Sequence, residues 1–149
     1  MKSIEAIEKE IIDEFQECPD IDTKYAYLFQ LGDHLLPMDP RLKIDEHLVK
    51  GCQSNLWFYL HKKDGRFYLE ADSDSMVIKG IAALLARLIQ GRKREELTEI
   101  NMDFIDDIHI WKLASKRNNG LQAMLDHIHQ AAKEKGNEGH STKIGAESS

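Results

Sequence analysis

One cysteine stands where a thiol can work. Cys52 lies in Gly51-Cys52-Gln53-Ser54, after a residue that frees the backbone to turn and before two polar ones, rather than inside a Leu/Val run. A thiol in such a loop can approach another protein's thiol, and only its thiolate form attacks sulfur. Free cysteines also serve as small buried hydrophobes, so residue type alone leaves both readings open. Cys18, the second cysteine, ends an apolar helical face just before Pro19, where packing is the better reading. Asp72-Ser73-Asp74 read first as cap candidates for the helix that follows. A helix N-terminus also favours anions, so a thiolate or persulfide folded back against it would gain there. Arg117, in Lys116-Arg117-Asn118-Asn119-Gly120, is either a solvated loop charge or a fixed cation at a partner interface.

The remaining chemistry-bearing residues form no set. The seven histidines show no metal-ligand spacing; His127 and His129 are two apart on a predicted helix and face different ways. A cysteine hydrolase would pair Cys52 with a histidine base, and spacing assigns none. Gly-rich phosphate loops are missing, so neither a metal nor a cofactor is expected.

The elements that must position Cys52 are read from periodicity. Ile4, Ile7, Ile11 and Phe15 recur on one helical face, which ends at Cys18-Pro19. Asp22 can cap a second helix with Tyr25, Leu28, Phe29, Leu35 and Leu36 as its buried stripe and Pro37 as its stop. A Pro-containing connection to Glu46 follows. His47 to Val49, Asn55 to His61 and Arg66 to Glu70 read as strands, the last two joined through Asp64-Gly65, a strong hairpin signal. The next helix carries Met76, Val77, Ile81, Leu84, Leu85 and Leu88, is apolar around much of its circumference, and stops at Gly91. Short helices are expected around Glu95 and over Phe104 to Trp111. The last helix carries Leu121, Met124, Leu125 and Ile128. The fold class is therefore α+β, a small antiparallel sheet of about three strands packed with helices. Residues 1–135 are expected to form one domain and 136–149, small, polar and aperiodic, a disordered tail.

Composition narrows the partners. At 149 residues and 42% hydrophobic content, the chain can build one core. It contains nothing near the roughly 18 consecutive apolar residues of a membrane span and no export signal, so a cytoplasmic location with reduced thiols is expected. A formal charge of −6, without a Lys/Arg stripe interleaved with aromatics, argues against nucleic acid. A protein partner is expected.

The string Lys50-Gly51-Cys52-Gln53-Ser54-Asn55-Leu56-Trp57, followed by Ala71-Asp72-Ser73-Asp74-Ser75 and Ile78-Lys79-Gly80, closely resembles the SufE family of sulfur acceptors. The likeness extends to the Tyr25 to Gly32 helix and to Arg117-Asn118-Asn119-Gly120-Leu121-Gln122-Ala123-Met124, covering residues 5 to 134 in order. The resemblance implies a fold similar to that of IscU-type cluster scaffolds, with Cys52 accepting persulfide sulfur from a cysteine desulfurase, SufS-like or CsdA-like. It further implies relay to a SufB-containing scaffold complex and a part for Asp74 and Arg117 in activating the desulfurase. One plausible reactive thiol can carry one persulfide but cannot ligate a cluster alone, which favours acceptor over scaffold. The region from Leu97 to Lys116 matches least, so a SufE role and a role like that of the paralogue CsdE both stay open. A regulator that binds the desulfurase without carrying sulfur is the second reading.

Overall fold

The computed structural model describes residues 1–49, 54–110, 114 and 117–134. Cys52, with the rest of segment 50–53, and residues 135–149, including the expected tail 136–149, lie outside the described residues.

Two helices open the chain. Helix α1 (Ile4–Gln16) begins where the Ser3 hydroxyl accepts the Ala6 N–H, and it buries Ile4, Ile11 and Phe15. Helix α2 (Ile21–Asp33) is capped by Asp20, not by Asp22. Asp20 is extended and accepts both the Thr23 N–H and hydroxyl, while Asp22 sits inside the first turn, where its charge suits the helix dipole. The expected buried stripe also ends early. The helix stops at Asp33, four residues before Pro37, and Leu36 is 83% exposed.

After two short 3-10 turns, Pro40–Leu42 and Asp45–His47, strands β1 (Leu56–Lys63) and β2 (Arg66–Ser73) form an antiparallel hairpin. Asp64 and Gly65 both have positive φ, the turn geometry whose twist matches paired strands. Register runs from Leu56 opposite Ser73 to Lys63 opposite Arg66. Leu56, Phe58 and Leu60 alternate inward with Phe67, Leu69 and Ala71. The third strand read from the sequence is reduced to a single bridge, Leu48 to Trp57, with the Val49 N–H donating to the Leu56 carbonyl at 2.8 Å. The 3-10 turn takes His47 out of any longer strand, because the His47 ring nitrogen Nδ1 is satisfied by the Leu42 carbonyl at 2.6 Å. The α+β class holds.

Helix α3 (Met76–Ile89) is the hub, packing against α2, β2, α1 and α6 (Asn119–Lys133). Its cap is Ser75, which accepts the Ile78 N–H, rather than any of the three residues before it. Helices α2 and α3 cross with Gly32 against Gly80. A Cβ on Gly80 would lie 2.6 Å from the Leu28 Cγ and 2.7 Å from the Leu28 carbonyl oxygen, so glycine there sets the interaxial distance. Two short helices, α4 (Arg94–Leu97) and α5 (Asp103–Asp107), bury Leu97, Phe104 and Ile105 in the same cluster. Glu14 ties three helices together, accepting from the Tyr27 hydroxyl at 2.6 Å and from Arg87 at 2.7 and 2.8 Å. Burial and this carboxylate push Tyr27 up to about 12.

Candidate functional site

Val49 and Asn55 lie on either side of the stretch that contains Cys52. On the entering side, Val49 is buried and joined to Leu56 by the 2.8 Å hydrogen bond. On the leaving side, Asn55 is gripped by the end of β2. Its N–H donates to the Asp74 carboxylate at 3.1 Å, and its carbonyl accepts from the Ser73 hydroxyl at 2.7 Å and the Asp74 N–H at 3.3 Å. The Ser73 hydroxyl oxygen in turn accepts the Ser75 N–H at 3.0 Å, and Ser75 caps α3. A relay of short polar side chains thus fixes the residue three positions after Cys52 to the start of the central helix. Ser and Asp suit this work because their short side chains reach neighbouring backbone groups.

Asp72 holds the outer side of this foot. Its carboxylate meets Lys43 at 2.8 Å and Lys79 at 3.5 Å, and the Lys43 ammonium lies 4.8 Å from the Trp57 ring centroid. Burial opposes ionisation of Asp72, but the hydrogen bonds from Lys43 and the Ser73 N–H, with both lysine charges, hold its carboxyl below the usual range. The stretch around Lys43 and the first turn of α3 are thereby clamped to one strand. In sequence, Asp72, Ser73 and Asp74 read together as caps; the structure gives each a different partner.

The other predicted residues are dispersed. Arg117 is exposed on a separate element, one residue ahead of Asn118, whose side chain caps α6 by accepting the Gly120 and Leu121 N–H groups. Cys18 is partly buried, with its thiol 3.9 Å from the Glu14 carbonyl, and burial pushes its pKa up, away from thiolate formation. The described histidines of the interior are engaged elsewhere: His47 as above, His129 with the Ile100 carbonyl at 2.8 Å, and His127 edge-on to Phe58, its pKa lowered by burial. Among the described residues, no group of three or more His, Cys, Asp and Glu is placed to hold a metal, and no helix is long and apolar enough to cross a membrane. Lys43 and Lys79 are not singled out by sequence, since nothing in their spacing joins them to Asp72 before the chain folds.

A small antiparallel hairpin packed with helices is the α+β fold class expected from the sequence. The family model described as the Fe-S metabolism associated domain, SufE, matches residues 9–132, and the chain belongs to the SufE family. Its role is in iron–sulfur metabolism. It is 36% identical over 146 residues to SufE-like protein 1, chloroplastic/mitochondrial, of Arabidopsis thaliana, covering 95% of this chain but 39% of that longer protein. It is 30% identical over 129 residues to an uncharacterized SufE-like protein of Rhizobium meliloti, covering 83% of this chain and 92% of the relative. The solution structure of a hypothetical protein from Thermus thermophilus shares the fold, with a TM-score of 0.68 at 19% identity over 85% of this chain and 93% of the other.

Proposed function

We propose that Cys52 is a sulfur carrier that receives persulfide sulfur from a cysteine desulfurase and passes it to iron–sulfur cluster assembly in the cytoplasm. The observation that carries this reading is the anchored foot of the hairpin. Val49 and Asn55, which flank residues 50–53 in sequence, are both held by hydrogen bonds, which suits a loop that presents a thiol to other proteins.

In the transfer step the Cys52 thiolate attacks the outer sulfur of the donor persulfide. The donor S–S bond breaks, its inner sulfur leaves as a thiolate, and Cys52 holds the sulfane atom as Cys52-S-SH with no net oxidation or reduction. Attack on that outer sulfur by a thiol of the SufB-containing scaffold completes the relay. Asp74 acts by positioning the segment through Asn55, and Arg117 offers a charge to the desulfurase. The pyridoxal phosphate chemistry that first generates the sulfur belongs to the desulfurase. A regulator that only stimulates the desulfurase would use the same surface without the Cys52 sulfur.

The deciding experiment is intact-mass analysis after incubation with a desulfurase and isotopically labelled cysteine. Wild type and Cys18→Ser gain one reductant-removable sulfur, and Cys52→Ser gains none while melting as wild type. Label retained on folded Cys52→Ser refutes the carrier role. Wild type that gains no sulfur while still stimulating the desulfurase moves the reading to the regulator.

A further inference from the structure

We infer that Lys43 is a positioning residue for sulfur transfer, acting through the stretch 43–49 that leads into the cysteine segment. The inference rests on the carrier reading of Cys52 and adds to it a side chain that sets the approach to the thiol. Trp57 of β1 and Asp72 of β2 stand opposite one another in the hairpin register. The Lys43 ammonium engages both, 2.8 Å from the Asp72 Oδ2 and 4.8 Å from the Trp57 ring centroid. One cation thereby spans both strands at a single rung.

The same stretch meets Trp57 a second time, through the bridge to Leu48. Residues 43 to 48 therefore close a loop on one rung of the hairpin, returning to it through the 3-10 turn Asp45–His47. Within that loop the His47 ring stacks on Tyr59 with centroids 4.4 Å apart. Val49, next after Leu48, is buried and donates to the Leu56 carbonyl, and Cys52 follows three positions later.

Side chains must fix this stretch, because its regular structure amounts to two 3-10 turns of three residues each. Lys43 joins it by an ion pair to a carboxylate that is itself steadied from the central helix, since the other Asp72 oxygen lies 3.5 Å from Lys79 in the first turn of α3. On the far side of residues 50–53, Asn55 reaches the start of the same helix through Ser73 and Ser75. The chain before and after those residues is thus referred to one rigid element. A partly buried pair of this kind shifts a local equilibrium severalfold without deciding the global one.

The test compares Lys43→Met, which keeps an unbranched side chain and loses the charge, with Lys43→Arg, which can keep both the carboxylate and the ring contact. Hydrogen exchange at the Val49 amide accelerates about threefold in Lys43→Met and stays at the wild-type rate in Lys43→Arg. The Asn55 and Leu69 amides keep their protection, which shows the fold intact. Single-turnover sulfur transfer from a persulfide-loaded desulfurase slows by about the same factor in Lys43→Met, with final loading still one sulfur per chain. Lys9→Met, at an exposed lysine of α1, transfers as wild type and excludes mere loss of charge. Lys43→Met adds less to Asp72→Asn than to wild type, as two ends of one contact should. Unchanged Val49 exchange in Lys43→Met overturns the inference, and slower transfer in that case assigns Lys43 to direct contact with the desulfurase. Faster exchange with wild-type transfer also overturns it, leaving a structural contact only. Wild type that gains no sulfur removes the carrier reading and the inference with it, whereas normal loading of wild type beside an equally fast Lys43→Met removes the inference alone.

Discussion

The two ends of one hairpin are closed by different means. At the foot, Asn55 is held by side chains of Ser73 and Asp74, all short, polar and near the surface. At the tip, the edge of β2 is closed by another stretch of backbone, through the Phe67 bridge to Arg92. It is closed further by the Gln90 side-chain amide, which accepts the Leu69 N–H at 2.8 Å and donates to the Leu69 carbonyl at 3.1 Å. Backbone pairing around a buried phenylalanine closes the tip, whereas at the foot side chains add to the single backbone bond from the Asp74 N–H to the Asn55 carbonyl.

The contrast can be broken from either side. The largest change in stability is expected at the tip. Gln90→Ala strips both edge groups of Leu69 and should cost about 1–2 kcal/mol, read as a lower urea midpoint. Sulfur loading per folded molecule should not change; a matching loss of loading would show that the two ends are mechanically coupled.

At the foot the order reverses. Asp74→Ala should cost only about 0.5–1 kcal/mol, because the Asn55 N–H it frees can turn to water. Hydrogen exchange at the Asn55 amide should nevertheless accelerate severalfold while the Phe67 and Leu69 amides stay protected. Unchanged exchange at Asn55 would remove the carboxylate from its positioning role.

A smaller effect, away from the hairpin, supplies the control. Burial, with the negative charges of Glu5, Asp103 and Asp107, raises the pKa of Glu8 above the ordinary 4.5, and its Oε2 is buried without a partner among the described residues. A raised carboxyl binds its proton more tightly folded than unfolded. Its favourable contribution is complete below 4.5 and fades as pH rises through the folded value. Glu8→Gln should therefore stabilise the protein at neutral pH, by under about 1 kcal/mol given solvent screening, and lose that advantage in acid. Both hairpin ends should exchange as in wild type. A gain that persists in acid would trace to packing rather than charge.

Much of this protein follows from local sequence. Alternating apolar residues about Asp64-Gly65 set the hairpin, because a two-residue turn with positive φ fixes the register of both strands. Periodicity locates α1, α3 and α6, and the stretch around Cys52 with Asp72-Ser73-Asp74 carries the family likeness. What local pattern could not decide were choices between equivalent neighbours. Asp72, Ser73 and Asp74 all read as caps for α3, yet the cap is Ser75, because Asp74 and Ser73 bond Asn55 and Asp72 bonds Lys43. Leu36 fits a helical stripe on paper, yet α2 ends before it and leaves it exposed. The third strand shrank to a bridge because a ring nitrogen of His47 found a backbone partner across the 3-10 turns. The joining of the hairpin tip to the stretch after α3 was invisible in one dimension, since the two meet only where Phe67 pairs with Arg92. Sequence determined where the main helices and the hairpin lie, because those depend on neighbours a few positions away. Tertiary structure decided which polar side chain serves which backbone group, because that depends on contacts between residues far apart in the chain.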